Sequence, residues 1–110
     1  MALSGVLKQN TAVAVMIGPF VDEDDGKTSE TGLTIAQADV RLTKNAGNMA
    51  QKNESSNCTH DEIGIYSCPL DATDTATLGL LTLVVAKSGA LHVRHDYIVI
   101  LEESPIWDLI

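Results

Sequence analysis

Aromatic residues are scarce in this 110-residue chain: one Trp, two Tyr and one Phe make up 4% of it. A carbohydrate surface built from stacked rings therefore has little to draw on. Positive charge is scarce too, with 7 Lys plus Arg against 15 Asp plus Glu, a net charge of −8 and no run of cations. Affinity for phosphates comes mainly from clustered cations that release counterions, so neither nucleic acid nor an anionic membrane is an expected partner. Long apolar runs are missing as well. The longest, residues 78–86, is interrupted by Gly79 and Thr82 and falls well short of the roughly 20 residues a spanning helix requires. Residues 1–7 show no basic stretch followed by an apolar segment, so neither a secretory signal nor a membrane anchor is expected. The chain also lacks a Gly-x-Ser-x-Gly elbow, a phosphate-cradling glycine loop and a His-Glu-x-x-His pair. No enzymatic activity and no cofactor are expected.

What is present suits one folded domain. Hydrophobic residues make up 45% of the chain and charged residues 20%, a balance that can build a core and does not belong to a disordered segment. The apolar residues come in short β-prone runs between turn residues, and no window repeats them at helical spacing. Val13, Val15 and Ile17 alternate with smaller or more flexible side chains before Gly18-Pro19 ends the run. Val40 and Leu42 alternate with Asp39, Arg41 and Thr43, and Asn45 to Asn48 then turns the chain toward a hairpin partner over 49–52. Residues 62–70 form another strand candidate, followed by Asp71-Ala72-Thr73-Asp74-Thr75, where Asp71 can cap a single helical turn. Residues 78–86 read as a central strand covered on both faces, paired across Ser88-Gly89 with 91–101. About seven strands without a helix predict an all-β, immunoglobulin-like antiparallel β-sandwich, with a small β-barrel as the alternative. Its expected core includes Val13, Val15, Val40, Leu42, Tyr66, Leu83, Val85, Val99 and Leu101.

Four groups of residues invite a chemical reading. Cys58 and Cys68 are the only cysteines. They are candidates for an intrachain disulfide, with reduced thiols, an interchain bond or a metal site as the other options. His60, His92 and His95 could join them around zinc on paper, but residues three apart in a strand point to opposite faces, which separates His92 from His95. The run Asp22 to Gly26 is acidic, yet it lacks the alternating ligands and distant glutamate of an EF-hand and reads as a solvated turn. Asn53-Glu54-Ser55 and Asn57-Cys58-Thr59 match the glycosylation pattern, but without a secretory signal they read as chance matches in a polar loop.

The ends are more informative. A free terminus is ordinarily polar and frayed, whereas Ser104-Pro105-Ile106-Trp107-Asp108-Leu109-Ile110 carries the single Trp and three large aliphatics. The chain accordingly divides into an arm over 1–10, a sandwich over 11–102 and a docking tail over 103–110. Leu3, Val6, Leu7, Ile106, Trp107, Leu109 and Ile110 are its candidate interface residues.

Several phrases carry a family resemblance: Lys8-Gln9-Asn10-Thr11-Ala12-Val13, Ile17-Gly18-Pro19-Phe20, Thr31-Gly32-Leu33-Thr34-Ile35-Ala36-Gln37-Ala38-Asp39-Val40-Arg41-Leu42, Leu70-Asp71-Ala72-Thr73-Asp74-Thr75 and Ser88-Gly89-Ala90-Leu91. From about Leu7 to Glu102 the chain resembles small structural proteins of tailed bacteriophages. The order of a Thr-Gly-Leu turn, the Gly64-Ile65-Tyr66 element and an Asp-Thr turn is similar to immunoglobulin-like modules of phage baseplates and appendages. His92-Val93-Arg94-His95 departs from that pattern, where a more apolar stretch is expected. The resemblance implies a non-enzymatic virion component, assembled in the host cytoplasm, whose partners are capsid, neck or tail subunits or further copies of itself. A multi-copy capsid decoration or cement protein is the expected role. The alternatives are a neck, collar or tail-appendage adaptor and a host-glycan-binding module.

Overall fold

The computed structural model describes residues 3–109. Eight strands follow one another: β1 Gly5–Lys8, β2 Val13–Ile17, β3 Val40–Lys44, β4 Ala50–Gln51, β5 Thr59–His60, β6 Tyr66–Leu70, β7 Gly79–Val85 and β8 Val93–Ile100. Short 3-10 turns at Gln37–Asp39 and Pro105–Leu109 are the only helical segments among the described residues. The strands form two separate sheets, β1-β8-β7-β3-β4 and β2-β6-β5. The fold is therefore a β-sandwich and not a closed barrel. The order β8-β7-β3-β4 opposite β2-β6-β5 matches the G-F-C-C′ and B-E-D strands of the immunoglobulin arrangement. Neighbours run antiparallel except β1, which runs parallel to β8 with Gly5 opposite Tyr97 and Lys8 opposite Ile100.

Alternation decides which side chains meet between the sheets. Val40, Leu42, Leu81, Leu83, Val85, Tyr97 and Val99 of the larger sheet face Val15, Ile17, Tyr66, Cys68 and Leu70 of the smaller one. Phe20 packs edge-on to Tyr66 with ring centroids 5.3 Å apart. The Tyr66 hydroxyl donates to Glu30 O at 2.8 Å and accepts from Leu33 N–H at 3.0 Å, fixing the long 20–35 connection to the core. Gly18 and Gly64 allow the chain to cross itself there. Both have positive φ, and a Cβ on Gly18 would stand 2.7 Å from Gly64 O.

The structure revises several boundaries. Strand β6 starts at Tyr66, because Ile63 and Gly64 take positive φ values of 48° and 81° and turn the chain. Leu101 is 53% exposed and not in the core. It has the inward parity of Val99, but β8 ends one residue earlier and the chain leaves the sheet. Val13 is only half-buried, at the open end of β2. Strand β7 is central in its sheet, yet its second face is not covered. Leu80 and Val84 remain half-exposed there, and Thr82 is satisfied by donating to Asp96 Oδ1 at 2.7 Å. The arm expected over 1–10 enters the sheet at Gly5, and Leu7 is a core residue.

Candidate functional site

The best-organised polar region lies where the 52–56 loop meets the 71–75 turn. Asp71 caps that turn, its Oδ1 accepting from Asp74 N–H at 2.9 Å. The turn in turn presents Asp74, whose carboxylate accepts from Asn53, Glu54 and Asp71 N–H at 2.7, 3.2 and 3.1 Å. Thr75 Oγ1 accepts from Thr11 N–H and donates to Thr11 O, tying the start of β2 to the same turn. Lys52 completes the region. Its side chain is fully buried, and Nζ donates to Glu54 O, Glu54 Oε1, Ser56 O and Pro69 O at 2.8–3.0 Å. A buried ammonium is tolerated only when all of its donors are matched, and here two loop carbonyls, the Pro69 carbonyl of β6 and the Glu54 carboxylate match them. A groove of about 290 Å³ runs beside this region, bordered by Leu42, Lys44, Asn48, Gln51, Asn53 and Thr73. No aromatic ring borders it.

Cys58, just before β5, and Cys68, in β6, are buried free thiols. Thr59 pairs with Ser67 and His60 with Tyr66, so one step back along that register sets Cys58 opposite Cys68. The neighbouring Cys68 thiol lowers the Cys58 pKa, with the Lys52 charge adding to the effect. The Cys58 thiol and burial hold Cys68 protonated. Across the core, the Tyr97 hydroxyl is buried without a hydrogen-bond partner among the described residues, and burial pushes its pKa up to about 12.

His60 and His95 are separated and individually occupied, and His92 lies exposed just before β8. His60 Nε2 accepts from Gly64 N–H at 3.2 Å, and its ring stacks edgewise on Tyr66. His95 Nε2 accepts from Gly18 N–H at 3.1 Å, so Nδ1 carries the proton and faces Ser4 Oγ at 3.0 Å. Burial lowers the His95 pKa. That ring joins β8 to the end of β2 in the opposite sheet. Among the described residues no three His, Cys, Asp or Glu side chains converge as metal ligands. The acidic turn is self-contained: Asp22 Oδ1 accepts from Asp24 N–H, and Asp25 accepts from the N–H groups of Lys27 and Thr28 and from the Thr28 hydroxyl. The hydroxyl bond is the main reason for the lowered Asp25 pKa.

The interface candidates fall into three groups. Leu7 is in the core and is withdrawn as a contact residue. Leu3 is exposed before β1, and Val6 is exposed on the outward face of the larger sheet. In the tail, Trp107 is half-buried with Nε1 donating to Leu101 O at 2.7 Å, whereas Ile106 and Leu109 are exposed, Leu109 at 85%. Ile110 lies outside the described residues. Sequence reading missed Lys52 and Asp74, since a Lys or Asp beside a polar loop carries no sign of being buried. It also missed the outward face, because 78–86 reads as a strand enclosed on both sides. No protein-family model matches the chain, and neither a curated protein nor a solved structure matches it.

Proposed function

We propose that this chain is a non-enzymatic structural subunit of a bacteriophage virion, present in many copies as a capsid decoration or cement protein. The observation that carries the reading is the exposed apolar tail on a hydrogen-bonded sandwich. Ile106 and Leu109 remain in solvent although the domain has a complete core of its own. Burying such a side chain is worth about 1.5–3 kcal/mol, so these residues have free energy to contribute only by docking on another surface. Repeated copies on a symmetric particle then add avidity to a modest single contact. The phage-like phrases named above supply the particle. A glycan-binding role draws no support from the groove, which offers no ring for stacking.

The test is mass spectrometry and cryo-electron microscopy of purified virions from the phage that encodes the chain. The expected result is density for this sandwich at symmetry-related positions, in many copies. Absence of the chain from purified particles overturns the reading.

A further inference from the structure

The outward face of the larger sheet is the surface most at odds with a solitary domain. Val6, Leu78, Leu80, Ile98 and Ile100 occupy outward positions on three adjacent strands or immediately beside them, and all five are exposed or half-exposed. The same face carries Lys8, Arg41 and Arg94 and a single acid, Asp96, a balance of +2 on a chain of net charge −8. Asp96 is largely consumed by Thr82 and Arg94. An occupant must therefore be acidic and rich in large apolar side chains. The segment Glu102 to Leu109 has that chemistry, with three acids, no cation and Ile106, Trp107 and Leu109.

We infer that this face binds the 102–109 segment of a second copy, in a two-fold exchange of tails. This rests on the assembly reading above and names the receptor surface for the tail. The tail leaves its own chain at the end of β8, beside the aliphatic cluster formed by Ile98, Ile100 and their neighbours. A two-fold axis close to that corner brings each tail onto the other copy's sheet and makes the contact self-complementary. The spacings agree. Lys8 lies opposite Ile100, and Arg94 is six positions away along β8, a span of about 20 Å. Glu102 and Asp108 are also six positions apart, about 20 Å when extended. Glu102 and Glu103 then meet the partner's Lys8 and Asp108 meets the partner's Arg94, while Ile106 and Trp107 lie over the Thr82–Asp96 level and reach only the Val6, Leu80 and Ile98 edge of the aliphatic cluster. To do so the tail uncoils from its 3-10 turn and gives up four bonds: Trp107 Nε1 to Leu101 O, Ser104 N–H to Leu101 O, Trp107 N–H to Ser104 O and Ile106 N–H to Ser104 Oγ.

Sedimentation velocity of the full chain over a concentration series tests the exchange. A dimer is expected, weakened by salt because exposed charges take part. Lys8→Glu alone and the double change Glu102→Lys/Glu103→Lys alone are each expected to give monomer, and an equimolar mixture of the two is expected to recover association. That recovery separates charge pairing from damage to the fold. Deletion of residues 105–110 is expected to abolish the dimer. A wild-type monomer at every concentration, a dimer that survives the deletion, or a mixture that stays monomeric overturns the inference. Attachment to particles is scored separately. A chain that dimerises but never joins virions removes the virion reading and leaves the face assignment intact, and a chain that joins virions as a monomer does the reverse.

Discussion

The 52–56 loop and the 101–109 tail reverse the usual relation between polarity and burial. Lys52 is fully buried, while Leu109 is 85% exposed. The loop is polar and mostly exposed, yet its carbonyls accept from the Lys52 ammonium and its N–H groups donate to the Asp74 carboxylate, so these two side chains are buried. The tail is apolar, yet it follows the last strand, outside the space between the two sheets. Burial in a chain this small is decided by hydrogen-bond matching and by topology, and side-chain type alone does not settle it.

That contrast can be broken at its strongest point by Lys52→Met. The change keeps the volume but leaves three carbonyls without their donor, and a loss of about 3 kcal/mol is expected, the upper range for leaving a buried acceptor unsatisfied. Urea denaturation measures it; a loss within the error of a surface substitution means that Lys52 does not organise the loop. Asp74→Asn is expected to cost about 2 kcal/mol, because three backbone N–H groups lose a charged acceptor. Hydrogen exchange should show the effect concentrated at the amides of Asn53, Glu54 and Asp71.

The thiol pair provides a sharper comparison within the loop. Opposed residues in neighbouring strands place their Cβ atoms close to disulfide range, and oxidation is expected to join Cys58 to Cys68. In the chain-entropy model a loop this short gains about 2–3 kcal/mol. Denaturation with and without reductant measures the gain. Labelling of both thiols in unreduced, denatured protein after oxidant treatment would rule the bridge out.

His95 contributes to the response to acid in the histidine range. Its folded pKa lies below the ordinary histidine value because burial disfavours the imidazolium, and the Gly18 N–H needs the lone pair on Nε2. The unfolded chain therefore binds the proton first. This residue's contribution is fully present above the ordinary histidine range and is lost as the pH falls through the lower folded value. His95→Gln should flatten the stability profile across that window relative to the wild type; an unchanged slope would place the acid response elsewhere.

Removal of residues 105–110 is expected to have the smallest effect on the isolated domain, within about 0.5 kcal/mol, since Ile106 and Leu109 contribute little to the core. A larger loss in thermal unfolding of the monomer would show that the tail belongs to the sandwich and would erase the contrast with the loop.

The alternation of Val13, Val15 and Ile17 and of Val40 and Leu42 was sufficient to predict strands and an all-β chain, because a period of two assigns each residue a face before any partner is known, whereas the choice of sandwich over barrel came from the two separate sheets. The Asp71 cap, the acidic turn and the apolar tail were legible for the same reason: each depends on neighbours in sequence. Tertiary structure alone decided the rest. The parallel pairing of β1 with β8 drew Leu7 into the core and set Val6 on the outward face. The end of β8 at Ile100 left Leu101 outside. Lys52 and Pro69 are 17 positions apart, and Asp74 and Asn53 are 21 apart. Whether such groups are buried depends on partners that only the folded chain brings within hydrogen-bonding distance, and a local pattern of residue types carries no trace of them.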